Sequence, residues 1–83
     1  MSIITITMRL FGAFRTYGET VKFDVPAGSS VRDVKDRLVL ELKLDGPALV
    51  YDSALANDNE IMSDDAVFTQ DSHLAILPPV CGG

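Results

Sequence analysis

This chain of 83 residues has no tryptophan, one cysteine and one histidine, and no lysine or arginine after Lys43. Each scarcity narrows the function. A single cysteine makes no internal disulfide, which suits a reducing, cytoplasmic compartment. One histidine and one cysteine, on either side of Pro78-Pro79, give no cysteine pair and no His-x-x-x-His spacing for a metal. No glycine-rich phosphate loop precedes a helix; Gly28 stands alone. No apolar run is long enough to cross a bilayer. Met1-Ser2-Ile3-Ile4-Thr5-Ile6-Thr7 lacks the basic start and cleavage site of a signal peptide. With no catalytic constellation in view, a self-sufficient enzyme is not expected. Any reactive group comes from the end of the chain or from a partner.

Charge is unevenly divided. All seven bases lie at or before Lys43, and seven of the twelve acids lie after it, within a net charge of −5. Nucleic acid is an unsuitable partner for so acidic a chain, because phosphate contacts need cations. Two readings of the acidic half stand side by side. It steers a protein partner with a basic surface, or it keeps the domain soluble.

The composition is 47% hydrophobic, enough for one core in one small domain. Ile4, Ile6, Met8 and Leu10 alternate with Thr5, Thr7 and Arg9, the period-two pattern of a half-buried strand. Val21, Phe23 and Val25 alternate with Lys22 and Asp24, giving a second strand of the same hairpin. Phe11, Phe14 and Tyr17, in the loop between them, read as packing residues or as a binding patch. Ser30-Val31-Arg32-Asp33 reads as a capping box, and Val31, Val34, Leu38 and Leu42 make the apolar stripe of a helix. Arg32, Lys35, Asp36 and Lys43 fall on its other faces. Asp45-Gly46-Pro47 ends it, with Gly46 suited to the left-handed cap. Leu49-Val50-Tyr51 and Ala54-Leu55-Ala56 read as short strands, and Asn57-Asp58-Asn59 as a turn. His73 to Leu77 is almost wholly apolar and reads as the centre of the sheet, with His73 a surface residue rather than a ligand. Asp64-Asp65 reads as a solvated turn. The order predicts an α+β domain with one main helix on a mixed sheet.

The segment Leu77-Pro78-Pro79-Val80-Cys81-Gly82-Gly83 follows that last strand directly. Each proline ring fixes φ and removes a donor, so Pro78-Pro79 holds the exit extended. Six extended residues span roughly 20 Å, enough to enter a buried site in another protein. Gly82 and Gly83 carry no side chains and pass a narrow channel. Residues 1–77 are thus expected to form the domain, and 78–83 a flexible tail.

Three stretches resemble the MoaD/ThiS sulfur carriers, a ubiquitin-like family of β-grasp fold. They are Met8-Arg9-Leu10-Phe11-Gly12-Ala13-Phe14-Arg15, Val25-Pro26-Ala27-Gly28-Ser29-Ser30-Val31-Arg32-Asp33, and Leu74-Ala75-Ile76-Leu77-Pro78-Pro79-Val80-Cys81-Gly82-Gly83. The Leu-Pro-Pro-Val-x-Gly-Gly ending is similar to the MoaD branch, the small subunit of molybdopterin synthase. The resemblance implies that Gly83 is adenylated by a ubiquitin-activating-type enzyme, MoeB- or ThiF-like, which uses ATP. Gly83 then becomes a thiocarboxylate that donates sulfur. It implies no bound cofactor and no catalytic residue in this chain. Pro78, Pro79, Val80, Cys81 and Gly82 would enter the partner's active site, in a larger MoaE-like synthase subunit or another acceptor enzyme. Related carriers serve thiamine, cysteine or thio-metabolite synthesis. A ubiquitin-like modifier of lysines and a non-covalent interaction domain are further alternatives. Cys81 departs from the small Ser, Ala or Thr usual before Gly-Gly in the family. It is a tolerated small residue or a thiol that joins the sulfur chemistry.

Overall fold

The computed structural model describes residues 2–44 and 47–79. The alternation at the start becomes β1 (Ile3–Leu10), which pairs antiparallel with β2 (Thr20–Pro26), Ile6 opposite Phe23. A 3₁₀ turn over Gly12–Tyr17 joins them. Ser29–Ser30 forms the two-residue strand β3, and helix α1 (Val31–Leu42) follows at once. A short helix α2 (Ala48–Asp52) leads into β4 (Ala54–Ala56), β5 (Ile61–Met62), β6 (Val67–Phe68) and β7 (Ser72–Leu77).

Five strands make one mixed sheet in the order β2-β1-β7-β4-β5. The apolar β7 lies at its centre, parallel to β1 and antiparallel to β4. One face of the sheet carries α1. Ile4, Ile6, Met8 and Leu10 from β1 meet Val31, Val34 and Leu38 from α1 in a core that also takes Phe14, Phe23, Leu55, Leu74 and Ile76. Each such side chain contributes about 1.5–3 kcal/mol on burial.

The capping box forms as its residues predict. The Ser30 hydroxyl accepts from the Asp33 N–H at 3.1 Å, and the Asp33 carboxylate accepts from the Ser30 N–H at 3.0 Å. At the other end of α1, Lys43 takes the left-handed conformation, with φ of 54°. The Lys43 N–H reaches the Leu40 carbonyl and the Leu44 N–H the Val39 carbonyl, each at 3.3 Å. This is the Schellman pattern, and Val39 and Leu44 both pack on the core beside it. Packing fixed the stop, and Asp45 and Gly46 lie outside the described residues.

Two expectations are corrected. Leu49-Val50-Tyr51 is helical. Pro47 starts the turn, with its carbonyl accepting from the Val50 N–H at 3.0 Å, and only Val50 is fully buried. A three-residue apolar run does not separate helix from strand by period. Lys35 does not decorate an outer face of α1; it is only 3% exposed. Its ammonium donates to the Tyr51 carbonyl at 3.4 Å and to the Asp64 carboxylate at 3.3 Å. It thereby ties α2 and the turn at Asp64 to α1. Ahead of α1, Ser29–Ser30 pairs with Val67–Phe68 as a second, two-stranded sheet.

Candidate functional site: the tail root and the sheet face beside it

β7 delivers the chain to Pro78 at one edge of the domain, beside the loop that follows β1. Gly12 begins that loop with φ of 57°. A side chain there would be strained, and it would also collide: a Cβ on Gly12 would stand 2.7 Å from Pro78 Cγ. The root of the tail is therefore seated on a bare backbone. Pro78 is half-buried and Pro79 is exposed. Val80, Cys81, Gly82 and Gly83, on which the expected chemistry falls, lie outside the described residues.

The sheet face away from α1 runs up to this root. β-strand alternation puts Leu55, Leu74 and Ile76 inside, and so turns Ala54, Ala56, Ala75 and Leu77 outward. Register joins them into rows: Arg9 opposite Ala75, Ala75 opposite Ala56, Ala56 opposite Ile61, and Leu77 opposite Ala54. The result is a low apolar floor with Ile61, 65% exposed, at its far side. On the near side the Arg9 guanidinium lies 5.2 Å from the centre of the Phe11 ring. Arg9, Phe11, Arg15, Glu19 and Thr20 line a cleft of about 220 Å³ there. Arg15 and Glu19 are 3.9 Å apart and both well exposed, so their pairing adds little stability.

This chain's second polar cluster lies elsewhere, across α1 and α2. The Tyr51 hydroxyl donates to the Asp36 carboxylate, and Arg32 lies 5.2 Å from the centre of the Tyr51 ring. The bond to Asp36 holds the Tyr51 pKa above the usual phenol value, and the adjacent negative charge adds to this.

The sequence-predicted candidates separate accordingly. Pro78 and Pro79 stand at the root. His73 is exposed on the outer sheet face, as expected of a surface residue. Of the three loop aromatics, Phe14 is core, Phe11 is partly covered and Tyr17 is 50% exposed. Asp64-Asp65 is a turn, with Asp64 engaged by Lys35. Among the described residues no group of three His, Cys, Asp or Glu side chains is placed to hold a metal. Among them, too, no helix is long and apolar enough to cross a membrane. Sequence reasoning missed the role of Gly12 and of the alanine floor. The signal for Gly12 was the glycine itself, directly after a strand and an aromatic; the floor became visible only with the register.

No protein-family model matches this sequence, and no curated protein matches it. Solved structures do. The small archaeal modifier protein SAMP1 of Haloferax volcanii superposes with a TM-score of 0.73 at 24% identity, over 95% of this chain and 99% of that one. A proposed molybdopterin converting factor, subunit 1, from Pyrococcus furiosus gives 0.72 at 19% identity, over 93% of this chain and 99% of that one. The fold is the ubiquitin-like β-grasp. The same β-grasp appears in the ubiquitin-like domain of Plasmodium falciparum Dsk2, at a TM-score of 0.69 and 16% identity over 94% of this chain and all of that domain. At these identities the likeness establishes the fold, including the five-stranded mixed sheet with its helix.

Proposed function

We propose that this β-grasp protein is a sulfur carrier that uses the Gly83 carboxyl group, and that it serves molybdopterin synthesis. One observation carries the reading. A Pro-Pro-Val-Cys-Gly-Gly segment leaves the central strand of a β-grasp domain at a seat formed by Gly12. The absence of a catalytic constellation in the sequence fits a carrier whose chemistry is done in its partners. The likeness to a proposed molybdopterin converting factor subunit supports the choice of pathway.

A carboxylate is a poor electrophile. An adenylating partner joins it to the α-phosphate of ATP and releases pyrophosphate. A sulfide-level nucleophile then attacks the acyl carbon and expels AMP, leaving Gly83 as –C(=O)S⁻. That sulfur attacks an acceptor carbon held in a second enzyme and displaces its leaving group; water then cleaves the acyl–sulfur bond, leaving the sulfur on the acceptor and restoring the Gly83 carboxylate. The domain supplies recognition, and the proline-stiffened segment supplies reach.

The test is intact-mass analysis after incubation with an adenylating enzyme, ATP and a sulfur donor. The expected result is one oxygen-to-sulfur shift, lost on deletion of Gly83 with the fold unchanged. No shift with any competent donor and enzyme refutes the reading. In the same assay Cys81→Ala separates the two roles of Cys81: unchanged loading and delivery make it a tolerated residue. The likeness to SAMP1 favours a second reading, a protein modifier that needs the same activation. Adducts with other proteins that survive a reducing agent identify that outcome.

A further inference from the structure

β2 ends the sheet order, so one side of this seven-residue strand has no strand partner among the described residues. The phase of the β1–β2 ladder says which of its groups are free. Leu10 N–H bonds to the Glu19 carbonyl and Ala27 N–H to the Ser2 carbonyl, each at 2.9 Å. Directly bonded pairs alternate along an antiparallel ladder. Val21, Phe23 and Val25 therefore spend their backbone groups on β1. Thr20, Lys22 and Asp24 turn theirs toward the open edge, while the Pro26 carbonyl accepts from the Ser29 hydroxyl at 2.6 Å. Pro26 has no N–H to offer, as an edge position allows.

The side chains on this edge are self-complementary. We propose that β2 is a homotypic docking edge: a second copy of this chain pairs its own β2 antiparallel to it, about a two-fold axis through Phe23. In that register Lys22 of one copy faces Asp24 of the other, twice over. Each facing Lys22–Asp24 pair exchanges both backbone hydrogen bonds. Shifted registers that keep the bonding phase are worse. A shift to one side sets Lys22 against Lys22, and a shift to the other sets Asp24 against Asp24. Like charges directly opposite are unfavourable. Only the register on Phe23 pairs opposite charges.

The two ion-pair partners are available for it. Lys22 makes no ion pair among the described residues, and Asp24 accepts one bond, from the Thr5 hydroxyl at 2.9 Å. Both point away from α1, on the outer sheet face. Because β1 lies between β2 and β7, pairing leaves Pro78 and the alanine floor uncovered. The surface is thus distinct from the tail root, and the inference does not rest on the carrier reading. A two-fold interface of this kind closes on itself: each copy has one such edge, and the sheet ends at β5 on the other side.

The experiment is sedimentation velocity on the full chain, from about 10 μM to about 1 mM at low salt, a range that brackets a Kd near 100 μM. The expected result is a shift to twice the monomer mass that weakens as salt rises. Amide exchange at Lys22 and Asp24 should slow with concentration, while Phe23, already bonded to β1, does not change. Lys22→Glu should weaken pairing about tenfold or more, because it sets a carboxylate against the Asp24 carboxylate of the other copy. The Lys22 side chain is exposed at the edge and holds no ion pair among the described residues, so the variant folds. Mixing Lys22→Glu with Asp24→Lys should restore a one-to-one pair, because each facing position then joins opposite charges. A monomer throughout the range overturns the proposal. So does a dimer indifferent to Lys22→Glu, or one whose protected amides lie outside β2.

Discussion

Gly12→Ala isolates the seat of the tail. Two costs add at this position. A left-handed conformation costs a residue with a Cβ roughly 1–2 kcal/mol. The new Cβ would also stand 2.7 Å from Pro78 Cγ, against an ordinary carbon–carbon contact of about 3.5–4.0 Å. Relieving an overlap of that size costs about 1–3 kcal/mol of overpacking. The single variant should therefore lose about 2–5 kcal/mol in urea unfolding. Pro78→Ala removes Cγ and with it the collision. The double variant should then retain only the backbone part, about 1–2 kcal/mol beyond Pro78→Ala alone. The cycle thus yields a coupling of about 1–3 kcal/mol, well outside the roughly 0.3–0.5 kcal/mol scatter of independent sites. Gly28→Ala serves as a control: its φ is 93°, but nothing lies within 4 Å of its Cβ, so it carries backbone strain without coupling to Pro78. Additive behaviour of Gly12→Ala and Pro78→Ala refutes the seat.

Two other perturbations test the clusters around α1. Lys35→Met should leave stability within about 1 kcal/mol, because a buried ion is exchanged for an apolar side chain of similar length, and Asp64→Ala should cost about 1 kcal/mol, since solvent at the 76% exposed Asp64 position partly replaces the lost carboxylate; urea midpoints of both variants check this, and a loss of about 3 kcal/mol or more in either contradicts the assignment. Tyr51 has a folded pKa raised above its ordinary value of 10.0, so its contribution is full below that pH and is lost as pH rises through the folded value. Wild type should exceed Tyr51→Phe in stability near pH 8, with the gap closing as pH rises beyond the ordinary phenol value; a gap that widens would contradict the sign.

Much of the architecture could be read from local pattern. β1 and β2 announced themselves because one face is buried and one is solvated, which enforces alternation. The start of α1 was legible because Ser30 and Asp33 satisfy each other without help from the rest of the fold. The failures share a cause in long-range contact. Lys35 sits at a polar position of α1, yet the carbonyl of Tyr51 and the carboxylate of Asp64, both distant in sequence, make its burial tolerable. The end of α1 comes at the left-handed Lys43, where Val39 and Leu44 pack on the core, a contact that the sequence pattern did not show. Leu49-Val50-Tyr51 carried too few residues for its period to speak. At the candidate site, Pro78 and Pro79 were evident as chain-stiffening residues. Their seat on Gly12 was not, since it joins positions 66 residues apart through the β1–β7 pairing.

That pairing has a consequence for the order of events in folding. Ile6 lies opposite Ser72 and Leu10 opposite Ile76, so the middle of the sheet joins the first strand made to the last. Until β7 emerges from the ribosome, the inward face of β1 has β2 beside it but no central strand, and loop closure this long is slow. Pro78 can take its place against Gly12 only after β7 has docked. The seating of Pro78 is thereby coupled to completion of the sheet. A contact made to Pro78 together with the sheet beside it reports, at one place, that the domain is folded.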